Sequence, residues 1–227
     1  MLKSIKTTSG RRTLKLKVPL IHQPDSISCG IAAAKMVLKF HGYDHRFSWL
    51  AEKMHLTQEG TDHLEIGLFF LERGFWVKIN CWDWAFPPRL MHVPEEMAVA
   101  EIFKWAQRRT KYEYKSQKSI FRRLLPKFLA AGGQFVPRPV TTREIRSAIR
   151  RSEPPILSVN SCLLYGTNDK KTGGHYVVPY GYYNNNILVN DPSRKPYGGR
   201  RIFDADFLTY SCYRSDASAI FIKPCKE

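Results

Sequence analysis

With 227 residues, 43% of them hydrophobic and 13% aromatic, the chain can bury a full core; one compact domain carrying an insert is expected. No stretch approaches the roughly 20 apolar residues of a membrane span, and residues 1–17 alternate Lys or Arg with single apolar residues, which excludes a secretory core. A cytoplasmic protein without a membrane span is expected, and its net charge of +16 points to an acidic partner, whether peptide, nucleic acid or anionic surface.

Residues 12–22 alternate and then run apolar, which reads as a strand interrupted at Pro19. A polar turn over 23–28 leads into 31–40, a nearly continuous apolar run of good helix formers that stops at His41-Gly42. Such a helix is too apolar for a surface and should cross the core, with Cys29 at its head. Residues 47–54 and 63–73 read as short helices, the second ended by Gly74, and 75–80 reads as a strand. From about 82 to 140 the character changes: a loop bearing Trp82, Trp84 and Phe86 precedes amphipathic helices over 95–108 and 117–131, rich in Lys and Arg. This basic segment is expected to be an insert serving as a lid or a partner surface. A helix over 141–151 carries a Thr141 cap with Glu144 in its first turn. Strands follow at 155–160, at 176–183 and 187–190 as a hairpin around Asn184–Asn186, and at 218–223. Helices first and an antiparallel sheet last make an α+β fold.

Five cysteines lie scattered at positions 29, 81, 162, 212 and 225, a pattern that suits neither a zinc site nor a disulfide framework. Cys29 differs by context. A thiol is a poor nucleophile until its pKa falls, and a helix N-terminus favours the thiolate through free N–H groups and the macrodipole. Gly30 would let a substrate approach the backbone, and Gln23 on the entering turn could donate to an oxyanion beside the Cys29 N–H. Further on, Gly173-Gly174-His175 places a histidine at the head of an apolar strand with room around it, Gly174 being the second expected substrate contact. Sixteen residues later, across the hairpin, stands Asp191, able to fix the imidazole tautomer and stabilise the imidazolium. Each residue alone has a bland structural reading; the conjunction points to nucleophilic catalysis.

Gln23-x5-Cys29-Gly, Gly-His175-Tyr-Val-Val and Asp191-Pro together resemble the papain-like peptidases that cleave double-glycine leaders from bacteriocin precursors. The chain is more similar to their stand-alone relatives than to domains fused to transporters. The resemblance implies a papain-like α+β fold in which Cys29 is the nucleophile, His175 the base, Asp191 the orienting acid and Gln23 the oxyanion donor. It covers most of the chain except 82–140, so the substrate is not carried over with it.

The expectation is therefore a cofactor-free, metal-free cysteine peptidase or amide hydrolase working through a thioester, on a peptide or protein substrate of acidic character. The rivals are an acyltransferase using the same residues and a non-catalytic basic module. Nucleic acid, held by Trp82, Trp84, Phe86 and the basic helices, is the disfavoured partner. His41 and His45 stand at a metal-binding spacing, but Gly42 between them argues for a helix end. Asp62 and His63 form an acid–base pair with no nucleophile near them in sequence.

Overall fold

The computed structural model describes residues 13–83, 85–108, 115–167, 173–194, 196–215 and 218–225; Trp84 lies outside them. In chain order the elements are β1 (Thr13–Lys15), α1 (Cys29–Phe40), α2 (Phe47–Lys53), α3 (His63–Leu71), β2 (Phe75–Asn80), α4 (Glu95–Gln107), α5 (Lys115–Ala130), β3 (Gln134–Val136), α6 (Thr142–Arg150), β4 (Ile156–Asn160), α7 (Ser161–Tyr165), β5 (Gly174–Tyr183), β6 (Asn186–Asp191), β7 (Gly199–Asp204), α8 (Ala205–Tyr213) and β8 (Ala219–Pro224), with a 3-10 turn at Pro88–His92. Among the described residues, no helix is long and apolar enough to cross a membrane.

One sheet runs in the order β3-β2-β8-β4-β5-β6-β7, with β1 pairing to β5 off this path. All its pairings are antiparallel except that of β2 with β3. The expected run of helices followed by strands is thus only part of the topology. β2 comes from the N-terminal half, and β3 is too short, at three residues, to show any alternation. The strand expected over 12–22 forms only at Thr13–Lys15, after which Leu16 donates to the Tyr180 carbonyl at 2.7 Å and Pro19 follows.

Helix α1 is buried from Cys29 to Ala34 and again at Met36, Val37 and Leu38, as its composition requires, and it packs on β5. It ends at His41, and Gly42 takes φ +92°, a left-handed value that glycine reaches without strain. His41 then packs its ring on Phe40 and Phe75, while His45 faces Trp49. Helix α3 lies against β2 and α5. Gly67 permits that approach, since a Cβ there would come within 2.8 Å of both Ile79 and Phe128. The basic helices α4 and α5 pack on each other and on β3. Their apolar sides bury Trp105, Phe121 and Phe128, and Trp82 and Phe86 are buried beside them.

Helix α6 begins with a full capping box between Thr141 and Glu144. Glu144 also accepts from Arg138, Lys78 and Asn80, tying the helix to β2. Burial opposes ionisation of Glu144, yet the bonds from Arg138, Lys78 and Thr141 prevail and hold its pKa at about 2. A depressed carboxylate stabilises the fold above its unfolded pKa of about 4.3 and loses that contribution as pH falls towards 2. Glu144→Gln should therefore cost about 1–2 kcal/mol at pH 7, allowing for solvent screening, and progressively less below pH 4. Urea midpoints of both proteins measured from pH 2 to 7 test this; a pH-independent gap would remove the carboxylate as its cause.

Candidate active site

The chain enters α1 through a turn in which the Asp25 carboxylate accepts from the N–H groups of Ile27 (3.0 Å) and Ser28 (2.9 Å). Those bonds leave Cys29 as the first residue of the helix, 9% exposed, at the floor of a cleft. His175 stands in β5 opposite Val159 of β4 and is 7% exposed. Its Nε2 lies 2.8 Å from Oδ1 of Asp191, whose side chain is fully buried at the end of β6. With Nε2 so engaged, Nδ1 is the ring nitrogen left to act on the Cys29 thiol.

The electrostatics follow from this contact. Burial disfavours the Cys29 thiolate, but the His175 hydrogen bond and charge outweigh it, aided by the N–H groups of Tyr176 and Gly30, and the thiol pKa falls below its ordinary value. Burial likewise disfavours imidazolium at His175, and the bonds to Asp191 and Cys29 prevail, raising its pKa to about 9. Both shifts favour a thiolate–imidazolium pair near neutral pH.

Asp191 is further fixed by groups that no sequence pattern singles out. The Tyr165 hydroxyl donates to its Oδ2 at 3.0 Å, and the Ser193 N–H donates to its Oδ1 at 2.9 Å. The Ser193 hydroxyl bridges Tyr165 at 2.9 Å and approaches His175 Nε2 at 3.4 Å. Tyr165 lies on α7, whose five residues are too few to show a helical period.

Gln23 is buried, with its backbone N–H on the Pro192 carbonyl at 2.8 Å and its own carbonyl accepting from Arg194 at 3.2 Å. The loop carrying the amide is thereby strapped to the loop after Asp191. One amide N–H of Gln23 is taken by the Asp25 carbonyl at 2.6 Å, which leaves the other available. Gly30 departs from expectation. It faces inward, where a Cβ would meet the Tyr176 ring at 3.1 Å and Ile66 at 3.2 Å, so its small size serves helix packing rather than substrate access. Gly174 is exposed and lines the cleft.

The cleft, of about 690 Å³, extends from Cys29 along the segment 55–65 to α5, where Phe121 and Arg123 form its far wall. Asp62 and His63, unremarkable in sequence for want of a nearby nucleophile, lie in this cleft with Cys29. Its lining also includes Glu59, Glu65 and Asp83. Among the described lining residues Arg123 is the sole Lys or Arg.

Residues 15–216 match the model of the Peptidase_C39 like family. The structure resembles the peptidase domain of Streptococcus ComA, a bi-functional ABC transporter involved in a quorum sensing pathway, with 18% identity and a TM-score of 0.50 over 92% of this chain and 99% of that one. It also resembles a double glycine motif protease from an AMS/PCAT transporter, solved in complex with the leader peptide, with 14% identity and a TM-score of 0.52 over 93% of this chain and 94% of that one. At such identities the likeness speaks for a shared papain-like fold. No curated protein matches the chain.

Proposed function

This chain belongs to the Peptidase_C39 like family, and we propose that it is a cysteine peptidase in which Cys29, His175, Asp191 and Gln23 do the chemistry. The observation that carries this reading is the 2.8 Å contact of His175 with Asp191, the same imidazole acting on the Cys29 thiol at an open cleft.

The Cys29 thiolate attacks a peptide carbonyl carbon, forming a C–S bond and moving the C=O π pair onto oxygen. The Cys29 backbone N–H and the remaining amide N–H of Gln23 stabilise that oxyanion. As the tetrahedral adduct collapses, the C–N bond breaks and His175 gives its Nδ1 proton to the departing amine, leaving a thioester. Neutral His175 then takes a proton from water, whose oxygen attacks the thioester. The C–S bond breaks with its electron pair returning to sulfur, the acid departs and the thiolate–imidazolium pair is restored. Asp191 keeps its negative charge throughout and holds the ring through Nε2–H.

Brief iodoacetamide treatment at about pH 6, where an ordinary thiol with a pKa near 8.5 reacts slowly, should label Cys29 rapidly and once. Labelling read by mass spectrometry should slow sharply in His175→Ala. Slow labelling of Cys29, no faster than at Cys225 on the surface, would withdraw the proposal. Turnover should fall as pH passes about 9, where His175 gives up the proton it must donate.

A further inference from the structure

Tyr165 reaches the acid of the site from a short helix that is closed at both ends. Helix α7 follows β4 directly. Its N-cap is Asn160, whose side chain accepts from the Leu163 N–H at 3.0 Å, and it stops at Gly166, which takes φ +65°. The half-buried Tyr165 ring at the end of that turn lies 5.9 Å from the His175 ring. It also stacks on Tyr197 at 4.8 Å, with the ring planes 27° apart. So held, its hydroxyl lies 3.0 Å from Oδ2 and 3.3 Å from Oδ1 of Asp191.

The chemistry of the groups fixes the direction of each proton here. An ionised carboxylate only accepts, so Tyr165 commits its single O–H to Asp191 and turns a lone pair to Ser193, 2.9 Å away. The Ser193 hydroxyl therefore donates to Tyr165, which makes a polarised chain from Ser193 through Tyr165 to Asp191. Burial first, and then the Asp191 charge, hold the Tyr165 phenol well above its ordinary value, so it remains a donor at neutral pH. The fully buried carboxylate thus shares its charge among three donors. His175 and the Ser193 N–H are at Oδ1, at 2.8 and 2.9 Å, and Tyr165 is at Oδ2.

We propose that Tyr165 is a positioning residue that acts on His175 through Asp191: its hydroxyl fixes Oδ2 and draws part of the carboxylate charge away from the imidazolium. The role rests on the peptidase reading and concerns one step of it. An imidazolium facing an unshared carboxylate would give its proton to the leaving amine less readily, whereas His175 faces one already engaged elsewhere. The titratable groups that bear on the imidazole from the elements around it are Cys29 of α1, Asp191 of β6 and Tyr165 of α7, while β4 sets the apolar Val159 opposite. Loss of the phenol hydroxyl should therefore act in the opposite sense to loss of the Asp191 charge, making the imidazolium harder to deprotonate.

Tyr165→Phe removes the hydroxyl and keeps the stacked ring. Nitrogen NMR of protein carrying isotopically labelled histidine, with the His175 signal identified by its absence in His175→Ala, follows the imidazolium as pH rises. From a native midpoint of about 9, Tyr165→Phe should raise the midpoint by about 0.5–1 pH unit. In an Asp191→Asn background the same substitution should no longer move it, because the carboxylate charge that carries the effect is gone. A midpoint that stays put or falls in Tyr165→Phe, or a rise that survives Asp191→Asn, would overturn the role. A tyrosine that serves packing alone would lower the thermal melt and leave the midpoint where it was. The titration needs no substrate, so the two readings separate. Slow iodoacetamide labelling of Cys29 with a raised midpoint defeats the peptidase and keeps the hold of Tyr165 on His175; rapid labelling with an unmoved midpoint does the reverse.

Discussion

Cys29→Ala is expected to lower peptide hydrolysis by on the order of 10⁵-fold or more, since removing a nucleophile costs about as much as removing the whole catalytic group. The fold should survive. Cys29 opens α1 and is packed at 9% exposure, so the lost sulfur leaves a small gap next to the cleft rather than a void in the core. The cost should be about 1 kcal/mol, at the low end of large-to-small changes. Release of fragments from a mixed peptide pool, followed by mass spectrometry alongside a thermal melt, checks both halves. Turnover that persists in a well-folded Cys29→Ala protein would end the case for a thioester.

Asp191→Ala should be the second largest effect, lowering kcat/KM by about 10⁴-fold, the loss seen when the orienting acid of a nucleophile–histidine pair is removed. The carboxylate is fully buried and receives His175, Tyr165 and the Ser193 N–H, so its loss strands three donors at once. Its distinguishing mark lies in the pH profile. Asp191 is one of the groups that raise the His175 pKa to about 9. Without it the imidazolium loses its proton at lower pH, and the alkaline limit of activity should move towards the ordinary imidazole value of about 6.5. Asp191→Asn keeps an oxygen acceptor for Nε2–H but removes the charge. It should retain more rate at pH 7 than Asp191→Ala while still lowering the alkaline limit. An unmoved limit in both variants would show that Asp191 acts on packing alone.

Much of this was legible from local chemistry. A long apolar helix beginning at Cys29 and stopping at Gly42, a capping box at Thr141 and Glu144, and a hairpin turning at Asn184 are short-range events, set by side chains within about four residues of one another. The turn proved one residue shorter than the Asn184–Asn186 reading, since Asn186 already pairs with Tyr183. Short elements left no period to read: β3 and α7 take their form from neighbours. Tyr165 and Ser193 were therefore invisible as partners of Asp191, and Gly30 gave no sign of which way its missing side chain would point.

Sequence determined which residues have the chemistry and that His175 and Asp191 lie on paired strands. Which side of the sheet each faces was decided only by tertiary structure. Counting back from the turn, where Tyr183 pairs with Asn186 and Gly181 with Leu188, an unbroken register would set Asp191 opposite Val178, on the other face from His175. The register shifts between Pro179 and Gly181, and Val178 then pairs with Asn190. That one-residue bulge puts Asp191 on the face of His175, diagonally across the strands, close enough for the 2.8 Å contact. Pro179 has no N–H for the ladder, Leu16 takes the Tyr180 carbonyl from outside the hairpin, and a Cβ at Gly181 would come within 2.5 Å of the Leu14 carbonyl. The N-terminal strand, some 165 residues away in sequence, thus helps set the register of the acid, and a pairing of that range has no local signature.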